Sequence, residues 1–413
     1  VNKHFIQEIR INKVRHHKNI SIPIDDHKSK HLIITGKNGS GKTSLLEGIK
    51  DFLKLFENYS IPELLKWKEL ALYNDLELSN NVEDYYTQDR MRRDIENFTT
   101  LIDNYCEKIE LNIKNSQEIH HLFQEGRFLL AYFNASRACS MLIPKGVEKI
   151  NLEKKYTIND DIAHLFLKYL VDLKTQATFA RQEQDIESSK KLEDWFDYIE
   201  QNLKFIFENE NLKLKFDYRN YNFQIIEPGK DPYDLTTLSS GFSSILSIVT
   251  ELILRMEGQR TEIYDIEGIV IIDEIEAHLH VSLQKKIFKF LTDFFPNVQF
   301  IISTHSPFVL NSVSNAVIYD LHEKIAYEDF SNYSYKSIVE DFLGVDQYSS
   351  IVKEKLKEYE LLTDNFDSLN PTEHERLNDL NEYLDNESDP HSKELQLKKA
   401  YIDLQRILEG DQE

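Results

Sequence analysis

Residues 32–43 read Leu32-Ile33-Ile34-Thr35-Gly36-Lys37-Asn38-Gly39-Ser40-Gly41-Lys42-Thr43, an apolar run, a glycine-rich turn, then a lysine and a hydroxyl. From Gly36 to Thr43 the turn matches GxxxxGK[ST] in full. The run before it has the look of a buried strand, and Leu46, Ile49, Leu53 and Phe56 after it recur at helical spacing. Strand, loop and helix follow in the order a phosphate cradle requires. Glycines let backbone N–H groups converge on phosphate oxygens, the helix N-terminus adds its dipole, Lys42 neutralises charge and Thr43 can ligate Mg²⁺. In a chain of 413 residues with only 12 glycines, a chance match of this strictness is remote. Gly36, Asn38, Gly39, Ser40, Gly41, Lys42, Thr43 and Ser44 are therefore the expected nucleotide contacts, with ATP and Mg²⁺ as the expected ligands.

Upstream, Phe5 to Ile11 and Ile20 to Ile24 alternate in strand fashion, which predicts a hairpin feeding the strand before the loop. Downstream, residues 58–126 are polar and charged, with Ile95, Phe98, Ile102, Tyr105 and Ile109 at intervals of three and four; this predicts an inserted helical arm. The run Phe128 to Phe133 reads as a return to the sheet, 157–210 as helical, and 212–227 as a short hairpin. Ile269 to Ile272 and Val298 to Ile302 read as further strands around a helix spanning Ser282 to Phe295. Strands alternating with helices indicate a largely parallel α/β sheet. The last 80 or so residues read as helical, from Leu377, Leu380 and Leu384 and later Leu397, Tyr401, Leu404 and Leu408.

Three further segments carry chemistry. The strand Ile269 to Ile272 ends in Asp273-Glu274, where the first carboxylate fits a Mg²⁺ partner and the second the base that orients or deprotonates the attacking water. Leu238-Ser239-Ser240-Gly241-Phe242 precedes the apolar helical run from Ile245, so a hydroxyl-bearing turn heads a helix, as at an anion site; an ordinary serine N-cap would look the same. Ser303-Thr304-His305-Ser306-Pro307 places a histidine at the end of the next strand.

In this order, the four segments resemble the Walker A, signature, Walker B and switch-histidine elements of the ABC ATPase superfamily. Asp273-Glu274-Ile275-Glu276-Ala277-His278-Leu279-His280 resembles the DEPExHLHP form of its RecF-like and OLD-like members, with Ile275 and Val281 in place of prolines. The resemblance covers about residues 5–325. It implies an α/β P-loop NTPase of ABC-ATPase type: a mixed sheet with a largely parallel core, helical insertions and a helical C-terminal extension. It also implies a head-to-tail homodimer, or a higher even homo-oligomer of such pairs, in which Ser239, Ser240 and Gly241 of one copy close over the γ-phosphate gripped by Lys42 of the other. Metal would be held by Thr43 and Asp273; Glu274 and His305 would be catalytic. The expected organisation is a core lobe from 1–57, 127–145 and 263–333, a helical insertion at 58–126, a helical lobe carrying the signature at 146–262, and an acidic helical extension at 334–413. A Q-loop glutamine is missing; Arg137, after Phe133-Asn134-Ala135-Ser136, is a candidate phosphate or signalling contact. Arg15 or His16 could stack on the base. The His278–His280 pair could suggest zinc, but the resemblance favours a structural loop.

Composition narrows the task. With 41% hydrophobic and 29% charged residues, the chain reads as globular. No stretch is long and apolar enough for a membrane span, and Val1 to Ile6 lacks a basic start followed by an apolar block, so a cytoplasmic location is expected. Cys106 and Cys139 form no CxxC pair, which leaves neither a disulfide framework nor a four-cysteine zinc site. The net charge of −22 argues against a general nucleic-acid coat. From Glu354 onward, 17 Asp and Glu face 7 Lys and Arg, so much of the acidity sits in the tail. The motif set resembles that of the ATPase subunit of Septu and retron-associated antiviral systems, which implies control of a separate effector, a nuclease or toxin. The alternative is a RecF-like DNA repair clamp, for which Arg90, Arg92 and Arg93, or Lys145, Lys149, Lys154 and Lys155, could line a groove. A transporter subunit is the least favoured reading.

Overall fold

The computed structural model describes residues 3–58, 60–79, 84–138, 140–258, 266–328, 330–331, 333–342, 350–385 and 399–400. The chain divides into two compact units, Val1–Tyr335 and Lys336–Glu413.

In the first unit, β1 (Ile6–Val14) and β2 (His17–Pro23) form the expected hairpin. It does not join the central sheet: β4 (Ile109–Ile113) pairs antiparallel with β1 to make a separate three-stranded layer. The central sheet has six strands in the order β12-β11-β3-β10-β9-β5. These are β3 (His31–Thr35), β5 (Phe128–Phe133), β9 (Glu267–Ile272), β10 (Val298–Ser303), β11 (Ala316–Asp320) and β12 (Ile325–Tyr327). All pairings are parallel except β11 with β12. A parallel sheet is covered on both faces, and its strands are correspondingly near-continuous apolar runs; β3 and β10 are buried at every position.

Register decides where the site lies. Phe133 pairs with Ile272, Ile272 with Ile302, Ser303 with Ile34, and Thr35 with Asp320. Five parallel strands thus end level at one edge, and the segments beginning at Asn134, Asp273, Thr304, Gly36 and Leu321 all emerge there, where open α/β sheets bind ligands. Gln299, fully buried on β10, joins the two layers: its amide donates to the Ile6 and Lys30 carbonyls at 3.0 and 2.8 Å and accepts from the Ile6 N–H at 2.7 Å.

Helix α1 (Lys42–Leu53) buries Leu45, Leu46, Ile49, Phe52 and Leu53, the face that its apolar spacing marks. Helices α2 (Ser60–Ser79) and α3 (Tyr85–Cys106) form the arm. The arm ends earlier than its spacing suggested. Ile109, read as the last residue of the helical stripe, opens β4, because Ile109, Leu111 and Ile113 alternate with polar residues and are buried against the hairpin. Helix α4 (Ser116–Gln124) leads into β5. Residues 157–165, expected to be helical, are largely irregular apart from a single turn at Ala163–Leu165. Helices α5 (Phe166–Gln182) and α6 (Ile186–Ile206) follow. The hairpin β6 (Lys213–Asp217) and β7 (Asn222–Ile226) gains a short third strand, β8 (Tyr233–Asp234), just ahead of the turn at 238–241.

Helix α7 (Ser240–Glu257) carries a buried charge pair, Glu251 and Arg255, four residues apart and 2.7 Å from each other. The pair has no unmet bonding capacity that matters: Arg255 donates to the carbonyls of Leu130, Thr157 and Asp160, and Glu251 accepts from the N–H groups of Ile162 and Ala163. A buried ion pair survives desolvation when its remaining donors and acceptors are met in this way. Helix α8 (Val281–Phe294) completes the unit's larger elements.

In the second unit, helices Ser350–Asp364 and Pro371–Leu384 pack around Leu356, Tyr359, Leu377, Leu380 and Leu384. The second helix starts on a capping box, with Asn370 and Glu373 each accepting from the other's backbone N–H. Leu397, Tyr401, Leu404 and Leu408 of the expected final helix, like Cys139, lie outside the described residues. Cys106 is buried, which pushes its thiol pKa up to about 11. No helix among the described residues is long and apolar enough to cross a membrane.

Candidate active site

The glycine-rich loop has the backbone its composition calls for. Gly36, Gly39 and Gly41 take φ of 133°, 81° and 100°, a region that side chains disfavour. At Gly36 a Cβ would also come within 3.3 Å of Ser40 Oγ, His322 N and Asp320 Oδ1. Lys42 Nζ reaches back across the loop to the carbonyls of Gly36 (3.0 Å) and Lys37 (3.2 Å). Burial lowers its pKa, opposed by the charges of Glu274, Asp273, Glu276 and Asp320, so four carboxylates surround this ammonium. The Ser40 hydroxyl is buried without a protein partner, a donor within the loop that a phosphate oxygen would satisfy.

Two strand ends and the start of α1 then meet. Thr43 Oγ1 donates to Asp273 Oδ2 at 2.9 Å, and Ser303 Oγ donates to the other oxygen, Oδ1. The same Ser303 hydroxyl accepts from the Glu274 N–H at 2.8 Å. A hydroxyl and a carboxylate side by side are a donor set that suits Mg²⁺, which is held by one or two protein oxygens together with substrate phosphates. Among the described residues no group of three His, Cys, Asp or Glu could hold a metal, so the His278–His280 pair forms no such cluster.

Glu274 lies at φ 46°, a left-handed conformation for a residue that is not glycine. Glu276, two residues on, accepts from Thr304 Oγ1 at 2.7 Å and from the His305 N–H at 2.5 Å, tying the carboxylate turn to the histidine segment. His305 is half-buried. Burial, then the charge of Lys42, lowers its pKa, which keeps the imidazole neutral at physiological pH.

The turn at 238–241 is built differently. Ser239 sits at the N-cap position of α7 in extended conformation, yet its side chain makes no capping bond, so the plain N-cap reading does not apply. Ser239 and Ser240 are exposed, while Gly241 is buried. A Cβ at Gly241 would lie 2.7 Å from the carbonyl oxygen of His278, so this turn packs on the loop that follows the two carboxylates. Phe242 stacks on Phe207 with centroids 4.3 Å apart and planes at 8°.

Several side chains fall elsewhere than the sequence suggested. Arg137 is not free to meet a phosphate, because its guanidinium is engaged with backbone carbonyls. Arg15 and His16 are exposed at the β1–β2 turn, and it is the buried neighbour His17 that touches the loop, its Nε2 2.6 Å from the Ser40 carbonyl. Arg90 and Arg93 pair with Asp94 and Asp89 along α3. His17, Ser303, Asp320 and the contacts of Glu276 were not read from sequence. Ser303 and Glu276 lie within quoted motifs; for His17 and Asp320 the signal is tertiary, Asp320 reaching the loop by pairing with Thr35 in the central sheet and His17 from the separate hairpin layer.

The chain matches the AAA ATPase domain family over residues 51–310 and belongs to it. It is an ATPase whose phosphate loop sits at the end of a largely parallel α/β sheet. Among characterised relatives it is similar to the Septu protein PtuA of Bacillus mycoides (strain KBAB4), at 25% identity over 78% of this chain and 42% of that one. It is also similar to the Retron Vc95 probable ATPase of Vibrio cholerae, at 24% identity over 70% of this chain and 68% of the other. The chain thus spans less than half the length of the PtuA relative. Among solved structures, an Smc head bound to the C-terminal winged-helix domain of ScpA aligns with a TM-score of 0.37 at 13% identity, over 78% of this chain and 96% of that one.

Proposed function

We propose that two copies of this chain close head-to-tail on ATP, hydrolyse it slowly, and thereby control a separate effector, a nuclease, in prokaryotic antiviral defence. Each triphosphate would be gripped from one side by the loop Gly36, Asn38, Gly39, Ser40, Gly41, Lys42, Thr43 and Ser44. It would be capped from the other by Ser239, Ser240 and Gly241 of the second copy. Thr43 and Asp273 would hold Mg²⁺, which when bound supplies charge neutralisation between the phosphates. Glu274 takes the proton of the attacking water, and neutral His305 accepts or donates a hydrogen bond at the γ-phosphate.

The observation that carries this reading is the turn at 238–241. Its two serines are exposed and the N-cap side chain makes no capping bond, while its glycine is seated on the loop behind Glu274. A helix N-terminus left in this condition suits an anion brought by another molecule. The defence role rests on the similarity to the Septu and retron proteins. A DNA-clamp role gains nothing from Arg90 and Arg93, whose charges are already paired.

The test is Glu274→Gln. It is expected to bind ATP as the parent does, to lose about 100-fold or more in turnover, and to elute as a dimer when ATP and Mg²⁺ are present. Parent-rate hydrolysis would remove Glu274 from its role, and a monomer under saturating ATP would remove the sandwich.

A further inference from the structure

Arg137 is the least expected charge in the first unit. It stands four residues past β5 and is 8% exposed, with the charges of Glu276, Asp273 and Glu274 near enough to favour its ionised form. Its partners are carbonyls: Nη1 donates to Asn134 (3.0 Å) and Asp273 (2.7 Å), Nη2 to Glu274 (3.1 Å) and Ile275 (3.0 Å). Three consecutive carbonyls of the carboxylate turn therefore converge on one guanidinium. Burial pulls its pKa down to about 10, still leaving it charged at neutral pH.

The turn needs such a partner. Glu274 is left-handed at φ 46°, a conformation in which Cβ crowds the backbone and which persists only where surroundings over-determine it. Its N–H is held by Ser303 Oγ, and its carbonyl accepts from the Ala277 N–H at 2.8 Å and from Arg137. A planar fork of fixed donors can serve several carbonyls at once, whereas an ammonium is a single point of charge.

We propose that Arg137 is a positioning residue for hydrolysis: by holding the carbonyls of Asp273, Glu274 and Ile275 it fixes the backbone twist that aims the Glu274 carboxylate. It acts through the main chain rather than on the nucleotide. The assignment rests on Glu274 being the base, and the experiment separates the two.

The full chain carrying Arg137→Lys or Arg137→Ala would be compared with the parent and with Glu274→Gln for folding, binding of a fluorescent ATP analogue, and steady-state hydrolysis. Both Arg137 variants are expected to bind the analogue within about threefold of the parent and to keep KM within that range. Turnover should fall about 10–100-fold, the usual loss when a partner that orients a working group is removed. Added ethylguanidinium should restore part of the Arg137→Ala turnover and none of the Glu274→Gln turnover. Folded Arg137 variants that turn over at the parent rate, beside an inactive Glu274→Gln, would overturn this inference alone. An active Glu274→Gln would overturn the base assignment and this inference with it. Failure of both Arg137 variants to fold would make the residue a structural strut and overturn its positioning role.

Discussion

The loop at 36–43 and the turn at 238–241 both set small residues at the head of a helix, and their surroundings differ in kind. Around the first, the chain supplies its own contacts: Lys42 bonds to the Gly36 and Lys37 carbonyls, Thr43 to Asp273, and His17 to the Ser40 carbonyl. Around the second, the serines are exposed and the cap position carries no side-chain bond. An anion at the first site would replace bonds that the protein already makes and add one to the idle Ser40 hydroxyl; at the second it would meet a helix end that makes no side-chain capping bond at all. The contrast separates a grip that belongs to one chain from a cap that asks for a partner.

The largest effect should come from breaking each side in turn. Lys42→Ala is expected to reduce nucleotide affinity by roughly 100-fold or more, since a charge-assisted phosphate contact and its buried site are both lost. Ser240→Arg should leave the affinity of one chain for a fluorescent ATP analogue within about threefold of the parent while abolishing ATP-driven dimerisation. Equilibrium binding and light scattering, run on both variants, would read the two properties apart. If Ser240→Arg weakens binding as much as Lys42→Ala, the division of labour is wrong.

A smaller, sharper comparison uses glycine. At Gly241 an added methyl meets the His278 carbonyl at 2.7 Å, so the turn or the loop behind Glu274 must move; overpacking of this kind costs about 1–3 kcal/mol. At Gly39 the same methyl meets nothing within 4 Å, and only the φ of 81° opposes it, a cost of about 1–2 kcal/mol. Gly241→Ala should therefore impair assembly on ATP and Gly39→Ala the binding of ATP. Thermal melts alongside the two binding assays would show whether equal losses of stability divide this way.

The effect that is smallest near neutral pH, and grows only as the medium turns acid, belongs to a buried histidine. His31, which opens the strand leading into the phosphate loop, is buried, and burial pulls its pKa to about 4. Its Nδ1 accepts from the Phe300 N–H, so the neutral form is the one that fits. The unfolded chain binds this proton near the ordinary value of about 6.5 and the folded chain only near 4. The stability that the neutral ring supplies is therefore complete above pH 6.5 and is lost as pH falls toward 4, about 3 kcal/mol in all. The segment 238–242 has no titratable side chain. His31→Gln should flatten the fall in melting temperature between pH 7 and pH 5; an unchanged slope would place the acid sensitivity elsewhere.

How much of this was legible follows from the range of each interaction. The strand–loop–helix at 32–53 and the acid pair ending β9 are local patterns, and hydrophobic period and glycine placement sufficed to read them. At Ile109 a helical stripe and an alternating strand agree over a few residues, and only pairing with β1 decides between them. The exposed turn at 238–241 was named from its composition, but the idle Ser239 side chain is a matter of geometry. The charge of Arg137 points in a linear reading to phosphate. Its carbonyl partners lie 136–138 residues away in sequence, apart from Asn134, and nothing in a linear reading reports where carbonyls point.

The Glu251–Arg255 pair gives α7 a mechanical character. Counted from Ser240, the pair sits about 16 to 22 Å along the helix at 1.5 Å per residue, and there it is pinned to the Leu130 carbonyl on the edge strand β5 and to the backbone of 157–163. A push on the serines at its tip would not be absorbed by a pivot at that point. It would arrive at the edge of the sheet as torque, with the helix as crank, and a neighbour seated against β5 or the 157–163 segment would feel the tip move.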